Sequence, residues 1–184
     1  MEFKESKIRG VYEILVDQFS DKRGSFSRIY DAQLFVKFGL PHSWVQENLS
    51  INSQLGVIRG LHFLLPPHTD GKLIRCSKGE IFDVSIDLRK GSETFGKWIA
   101  FNLHEDDNTM IYIPKGFAHG FCSLTEKSEL VYKHDSFYIK DSDCGIKWND
   151  EILNIDWPIQ NPIISEKDSK LMMFKEFTTI HGGL

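Results

Sequence analysis

One titratable imidazole in this chain stands among apolar residues with a fixed cation to either side. The stretch is Gly56-Val57-Ile58-Arg59-Gly60-Leu61-His62-Phe63, and Lys72-Leu73-Ile74-Arg75 follows shortly after. A histidine close to neutrality beside a guanidinium and an amine suits removal of a proton next to a developing anion. Glycines at 56 and 60 let the backbone turn or approach another segment closely. Taken alone, the same residues also describe a strand end whose histidine is a hydrogen-bonded core residue, with Lys72 on the surface. A second focus is Ile113-Pro114-Lys115-Gly116-Phe117-Ala118-His119-Gly120-Phe121. There Pro and Gly make a tight turn between two strands, and His119 emerges at the start of the second.

The elements that must hold these residues read as short strands. Residues 8–16 form a first strand, and Asp21-Lys22-Arg23-Gly24 turns into another that runs to Tyr30. Asp31 to Gly39 reads as a short helix with an Asp cap and a Gly stop. Between Ile81 and Leu88, Phe82, Val84, Ile86 and Leu88 share one face, and Asp83, Ser85 and Asp87 the other. Further strands are expected at 98–101, 110–113, 120–124 and 129–133, and the tail from Trp148 reads as irregular. Many short strands at even spacing with few helical windows predict one all-β barrel or sandwich domain spanning 1–184.

With 184 residues, 41% hydrophobic and 26% charged, the chain suits one soluble domain with a sizeable core. A net charge of −4 gives no nucleic-acid surface, and no apolar run has membrane or leader length. Fourteen Phe, four Trp and five Tyr fit a β-rich core or a site that stacks on flat ligands. Cys76, Cys122 and Cys144 are widely spaced, with no paired metal motif, and read as reduced structural thiols of a cytoplasmic protein.

Pro114-x-Gly116-x-x-His119 resembles the second motif of the cupin superfamily. The His-x-His pair of metal cupins is absent, and His62 with His119 alone would make a poor closed metal site. A sharper resemblance covers residues 8–168 in register. Arg59-Gly60-Leu61-His62-Phe63, Gly71-Lys72-Leu73-Ile74-Arg75-Cys76 and Lys78-Gly79-Glu80-Ile81-Phe82-Asp83-Val84 are similar to segments of the dTDP-4-dehydrorhamnose 3,5-epimerase family. So are Asp87-Leu88-Arg89-Lys90-Gly91-Ser92, Tyr112 to Phe121, Gly145 to Asp150, Ile155-Asp156-Trp157-Pro158 and Ser165-Glu166-Lys167-Asp168.

The resemblance implies a cupin double-stranded β-helix (a jelly-roll barrel) with a few short peripheral helices, a homodimer, and neither cofactor nor metal. It implies an isomerase that inverts C3, C5 or both of a nucleotide-diphosphate-linked 4-keto-6-deoxy sugar through an enolate. Such chemistry needs a base, a cation at the developing oxyanion and an acid on the opposite ring face. By resemblance His62 is the base, Asp168 its partner carboxylate, Tyr132 the acid and Lys72 the group facing the C4 oxygen, with His119 beside it. Arg23 and Arg59 match diphosphate positions, where guanidinium recognition is apt. Phe26, Gln46, Asn48 and Tyr138 match positions lining nucleoside and sugar, and Asp143 and Lys167 match further polar contacts. Without the resemblance, Tyr132 reads as an amphipathic barrel residue and Asp168 as a solvated helix cap.

The chain departs from the family pattern at Arg28 (usually Glu), Leu64 (usually Gln) and Asp143 (usually Glu), and Pro66-Pro67-His68 stiffens the approach to Lys72. None touches the proton-transfer set; they bear on the nucleotide, dTDP against CDP or GDP, with Arg28 a candidate contact. Three alternatives remain at this level: a mono-epimerase, a metal-dependent cupin oxygenase or isomerase, and a non-catalytic sugar-nucleotide module.

Overall fold

In the computed structural model, which describes residues 1–184, two antiparallel sheets face one another around a common interior. The strands begin with β1 (Glu2–Glu5), β2 (Tyr12–Leu15), β3 (Gln18–Asp21), β4 (Gly24–Ser27) and β5 (Gln46–Asn52). They continue with β6 (Val57–Leu64), β7 (Lys72–Lys78), β8 (Glu80–Asp87), β9 (Trp98–His104) and β10 (Thr109–Ile113). Last come β11 (Phe117–Ser123), β12 (Ser128–His134), β13 (Asp143–Gly145) and β14 (Ile163–Ile164). The helices are short: α1 (Ala32–Lys37), α2 (Glu166–Ser169) and α3 (Phe174–His181). One sheet has the order β1-β2-β10-β7-β12-β5 and the other β13-β6-β11-β8-β9, with β14 added parallel to β6. β3 and β4 form a hairpin apart from both sheets. No helix is long and apolar enough to cross a membrane.

Alternation along the strands sorts side chains into three apolar layers. Ile74, Ile111, Ile113 and Leu130 from one sheet meet Ile81, Leu103, Phe117 and Phe121 from the other, filling one part of the barrel. Behind the second sheet, Phe63, Val84, Ile86 and Leu88 pack against Phe174 and Phe177 of α3. Behind the first, Ile14, Leu73, Met110 and Tyr112 pack against Phe35 of α1. Each such ring, taken out of water, contributes about 1.5–3 kcal/mol. On β8 the expected division holds, but the polar face is the one turned into the barrel. Asp83, Ser85 and Asp87 are fully buried there, while Val84, Ile86 and Leu88 lie beneath α3. Cys76, Cys122 and Cys144 are free thiols; burial pushes the first two up to about 11, which fits a structural role.

Three expectations need correction. The first strand does not run through 8–16: Ser6 N–H bonds the Val11 carbonyl, and Gly10 at φ +93° turns the chain, so Tyr12–Leu15 is extended and Ile8–Val11 is not. The strand after Gly24 ends at Ser27, short of Tyr30. The tail is not irregular throughout, since it contains β14, α2 and α3. Helix α1 does form where expected, with the Asp31 side chain accepting from the Gln33 and Leu34 amides.

The feature that aims the site is a bulge between β6 and β11. His62 lies opposite His119 and Arg59 opposite Phe121, so Gly60 and Leu61 together oppose the single residue Gly120. Arg59 and His62 are three apart and would face opposite ways in a regular strand; the extra residue turns both inward. Gly60 sits at φ +119°, and a Cβ there would lie 2.7 Å from Gly120 Cα and 2.8 Å from the His119 carbonyl oxygen. Only glycine meets both conditions. Gly60→Ala is expected to destabilise the protein by about 2–5 kcal/mol in urea unfolding and to abolish activity. A variant with wild-type unfolding would contradict this account of the bulge.

Candidate active site

Where the inward faces turn from apolar to polar, the barrel holds a cavity of about 400 Å³. Strands β5, β6, β7, β11 and β12 line it with Gln46, Asn48, Arg59, His62, Lys72, His119 and Tyr132. Tyr138, Asp143, Lys167 and Asp168 close one side from the C-terminal third of the chain. Eleven of the fourteen residues singled out from the sequence therefore meet in one place.

His62 Nε2 lies 2.8 Å from Asp168 Oδ1, and the other oxygen of the same carboxylate accepts the Gly60 amide at 3.1 Å. Asp168 thus holds the imidazole and the bulge together. It reaches them because Ile163 and Ile164 pair with Val57 and Ile58, carrying the chain past Arg59. The Ser165 side chain then accepts the Asp168 amide and starts α2. Asp168 is 3% exposed, so the reading as a solvated cap is overturned. An Nε2–H donated to the carboxylate leaves Nδ1 of His62 free to take a proton.

Lys72 is buried, which overturns its reading as a surface residue. An unpaired buried ammonium would cost several kcal/mol; here both oxygens of Asp70 lie within 3.1 Å of Nζ. His119 Nε2 lies 2.7 Å from Asp83 Oδ2, a fully buried carboxylate. The Tyr132 ring stands between His119 and His134, at centroid distances of 6.5 and 5.3 Å, and its hydroxyl is 3.3 Å from Ser50 Oγ. No set of three or more His, Cys, Asp or Glu side chains converges as metal ligands would.

At the rim, Arg59 donates through Nε to Asn52 Oδ1 at 2.9 Å. Asp143 Oδ2 accepts from Lys167 Nζ at 2.6 Å and from the Tyr138 hydroxyl at 3.0 Å. The structure does not bring Arg23, Phe26 or Arg28 to this cavity. Arg23 is paired with Asp21 at the tip of the β3–β4 hairpin, and Phe26, 67% exposed, faces its cross-strand neighbour Phe19. Arg28 pairs with Asp31 at the start of α1, so it does not contact a ligand in this cavity.

Sequence reasoning missed Asp70, Asp83, Ser50 and His134. Alternation carried one residue further along β12 puts His134 on the same face as Tyr132, and the polar face of β8 already contained Asp83. Asp70 carries no local signal; it lies in the loop before β7 and acts only through Lys72 and His134.

A sequence profile described as dTDP-4-dehydrorhamnose 3,5-epimerase matches residues 5–176. The chain belongs to the dTDP-4-dehydrorhamnose 3,5-epimerase family. It is an epimerase, an enzyme of the isomerase class. It is 48% identical to the dTDP-4-dehydrorhamnose 3,5-epimerase of Shigella flexneri over 82% of this chain and 83% of that one. The crystal structure of the enzyme from Elizabethkingia anophelis superposes with a TM-score of 0.92 at 40% identity, covering 96% of this chain and 97% of that one. A 4-keto-6-deoxy sugar epimerase from the novobiocin biosynthetic gene cluster of Streptomyces spheroides gives 0.92 at 33% identity, covering 97% and 90%. The epimerase fold is thus the cupin-like jelly roll implied by the motifs.

Burial by itself would lift the Asp168 carboxyl. The hydrogen bond and charge of His62, the Gly60 amide and Lys167 outweigh it and hold the group below its ordinary range. Stability from a depressed carboxyl is complete above the unfolded value of about 4 and fades as pH falls through the lower folded value. In urea unfolding, wild type should exceed Asp168→Asn at neutral pH, and the gap should close below about pH 4. A gap independent of pH would contradict the depressed Asp168 carboxyl.

Proposed function

We propose that the chain, acting as one epimerase domain, inverts C3, C5 or both of a dTDP-linked 4-keto-6-deoxy sugar, with His62 as base. The observation that carries the reading is the His62–Asp168 pair, with Nδ1 free, in one cavity with the Lys72 ammonium and the Tyr132 hydroxyl. His62 takes the proton from the carbon beside the C4 ketone. The C–H electron pair becomes the C=C bond of the enolate, and the carbonyl π pair moves onto O4. Lys72, with His119, meets that oxygen as its charge grows. Tyr132 then delivers its phenolic proton to the opposite face of the carbon, the enolate collapses to the ketone, and the centre is inverted. Asp168 keeps the imidazole in one tautomer and balances its charge once protonated.

Arg59 and Lys167 supply cations for the diphosphate, and Tyr138 an aromatic face for the base. The finer reading is a cytoplasmic homodimer. The hairpin supports the dimer: by resemblance Arg23 and Phe26 match substrate-binding positions, yet they stand exposed away from their own cavity. A second copy gives them a cavity to enter.

His62→Ala should abolish solvent deuterium exchange at C3 and C5, read by NMR on dTDP-, CDP- and GDP-linked 4-keto sugars, while leaving binding largely intact. A loss of about 10²–10⁴-fold is in scale with one proton-transfer group. Persisting exchange would remove His62 from the role of base. Tyr132→Phe should slow epimerisation more than exchange, and equal losses would count against Tyr132 as acid. For the dimer, co-expressed Arg23→Ala and His62→Ala chains should regain activity that neither has alone, since a mixed dimer restores one complete site. A mixture as inactive as its parents would place Arg23 outside the partner's site.

A further inference from the structure

A line of polar contacts crosses the cavity floor and ends on Lys72, and the proton-transfer steps use only its last member. Gln46 Nε2 donates to Asn48 Oδ1 at 3.1 Å, and Asn48 Nδ2 faces His134 Nε2 at 3.2 Å. His134 Nδ1 lies 2.6 Å from Asp70 Oδ2, and Asp70 holds the Lys72 ammonium at 3.0 Å. These contacts fix where the imidazole proton sits. An ionised carboxylate only accepts, so Nδ1 of His134 is the donor in its contact with Asp70. The proton is therefore on Nδ1 and is donated to Asp70.

The register explains why these groups meet. On the central strand β12, His134 lies opposite Lys72 of β7 on one side and opposite Gln46 of β5 on the other. Asp70 then bridges His134 and Lys72 from the preceding loop, 4% exposed. Burial alone would raise its carboxyl, but the Lys72 charge and the His134 hydrogen bond hold it well below the usual carboxylate range. A carboxylate bonded on one side only could turn with the ammonium it holds; one bonded by an imidazole as well cannot. Lys72 thus has a fixed direction in a site where the oxyanion position matters to a fraction of an ångström.

We propose that His134 and Asp70 are positioning residues for Lys72: the imidazole locks the carboxylate, and the carboxylate aims the ammonium at the oxygen on which enolate charge develops. This rests on the enolate reading of the site. A histidine that merely packed on the Tyr132 ring would owe nothing to its Nδ1 donor, and that difference is measurable. Asn at 134 can place an amide N–H near the position of Nδ1, whereas Gln places its amide toward the position of Nε2.

The test measures kcat and KM on a dTDP-linked 4-keto-6-deoxy sugar, with thermal unfolding alongside, for wild type, H134N, H134Q, D70N and H62A. H134Q and D70N should lose about tenfold or more in kcat with KM within about threefold, the pattern of an interaction made in the transition state. H134N should stay within about threefold of wild type in both. A wild-type kcat in H134Q, equal losses in H134N and H134Q, or a change confined to KM would overturn the proposal. Where H134Q does not fold, D70N against H134N makes the same comparison. H62A separates the two levels. If it still exchanges deuterium, the enolate reading fails; if it is inactive while H134Q runs at the wild-type rate, only this inference fails.

Discussion

The carboxylate of Asp168 does two jobs with its two oxygens, and the site depends on both. One oxygen fixes the imidazole of His62; the other accepts the amide of Gly60, inside the bulge that brings His62 to the inner face. Buried hydrogen bonds to a charged acceptor are worth about twice a neutral one, which offsets the cost of taking the carboxylate out of water. The arrangement is self-consistent in a way a surface pair would not be. Displacing the carboxylate would free the imidazole and, at the same time, leave the Gly60 amide inside the bulge without its acceptor.

The same economy of charge governs the rest of the cavity. Each basic group inside is bonded to a carboxylate: Asp168 for His62, Asp83 for His119, and Asp70 for both Lys72 and His134. The buried Lys72 ammonium is therefore not left unpaired to draw in an arbitrary anion. Arg59 and Lys167 stand at the rim, where water screens the cost of charge. The barrel divides accordingly into a dry part packed by Ile74, Ile111, Leu130 and Phe121 and a polar part given to chemistry.

How much of this was legible in the sequence follows from the range of the interactions. The β-barrel, the Asp31-capped helix and the two histidine-bearing segments are written in local pattern, and the structure agrees with them. Lys72 looked like a surface residue because its counter-charge lies outside any strand signal. Arg59 and His62 have a spacing that a period of two assigns to opposite faces, and only the meeting of Gly60 with Gly120 reverses it. Asp168 was found by resemblance alone, since the pairing that delivers it is two residues long and joins segments over a hundred positions apart. Helix α3 was overlooked for a related reason: Met173 offers no side-chain cap, and the carboxylate of Asp150, far back in the chain, accepts the Phe174 amide instead.

The parallel attachment of β14 to β6 ties the His62–Asp168 pair to the last part of the chain. Every other strand of both sheets precedes Ile163 in the chain, and Asp168 comes after β14. Lys72, His119 and Tyr132 are held by strands that precede this segment in the chain, whereas the carboxylate that orients His62 follows it. The pairing of His62 with Asp168 thus hangs on a parallel strand of two residues, Ile163 and Ile164, the smallest element of the sheet it joins.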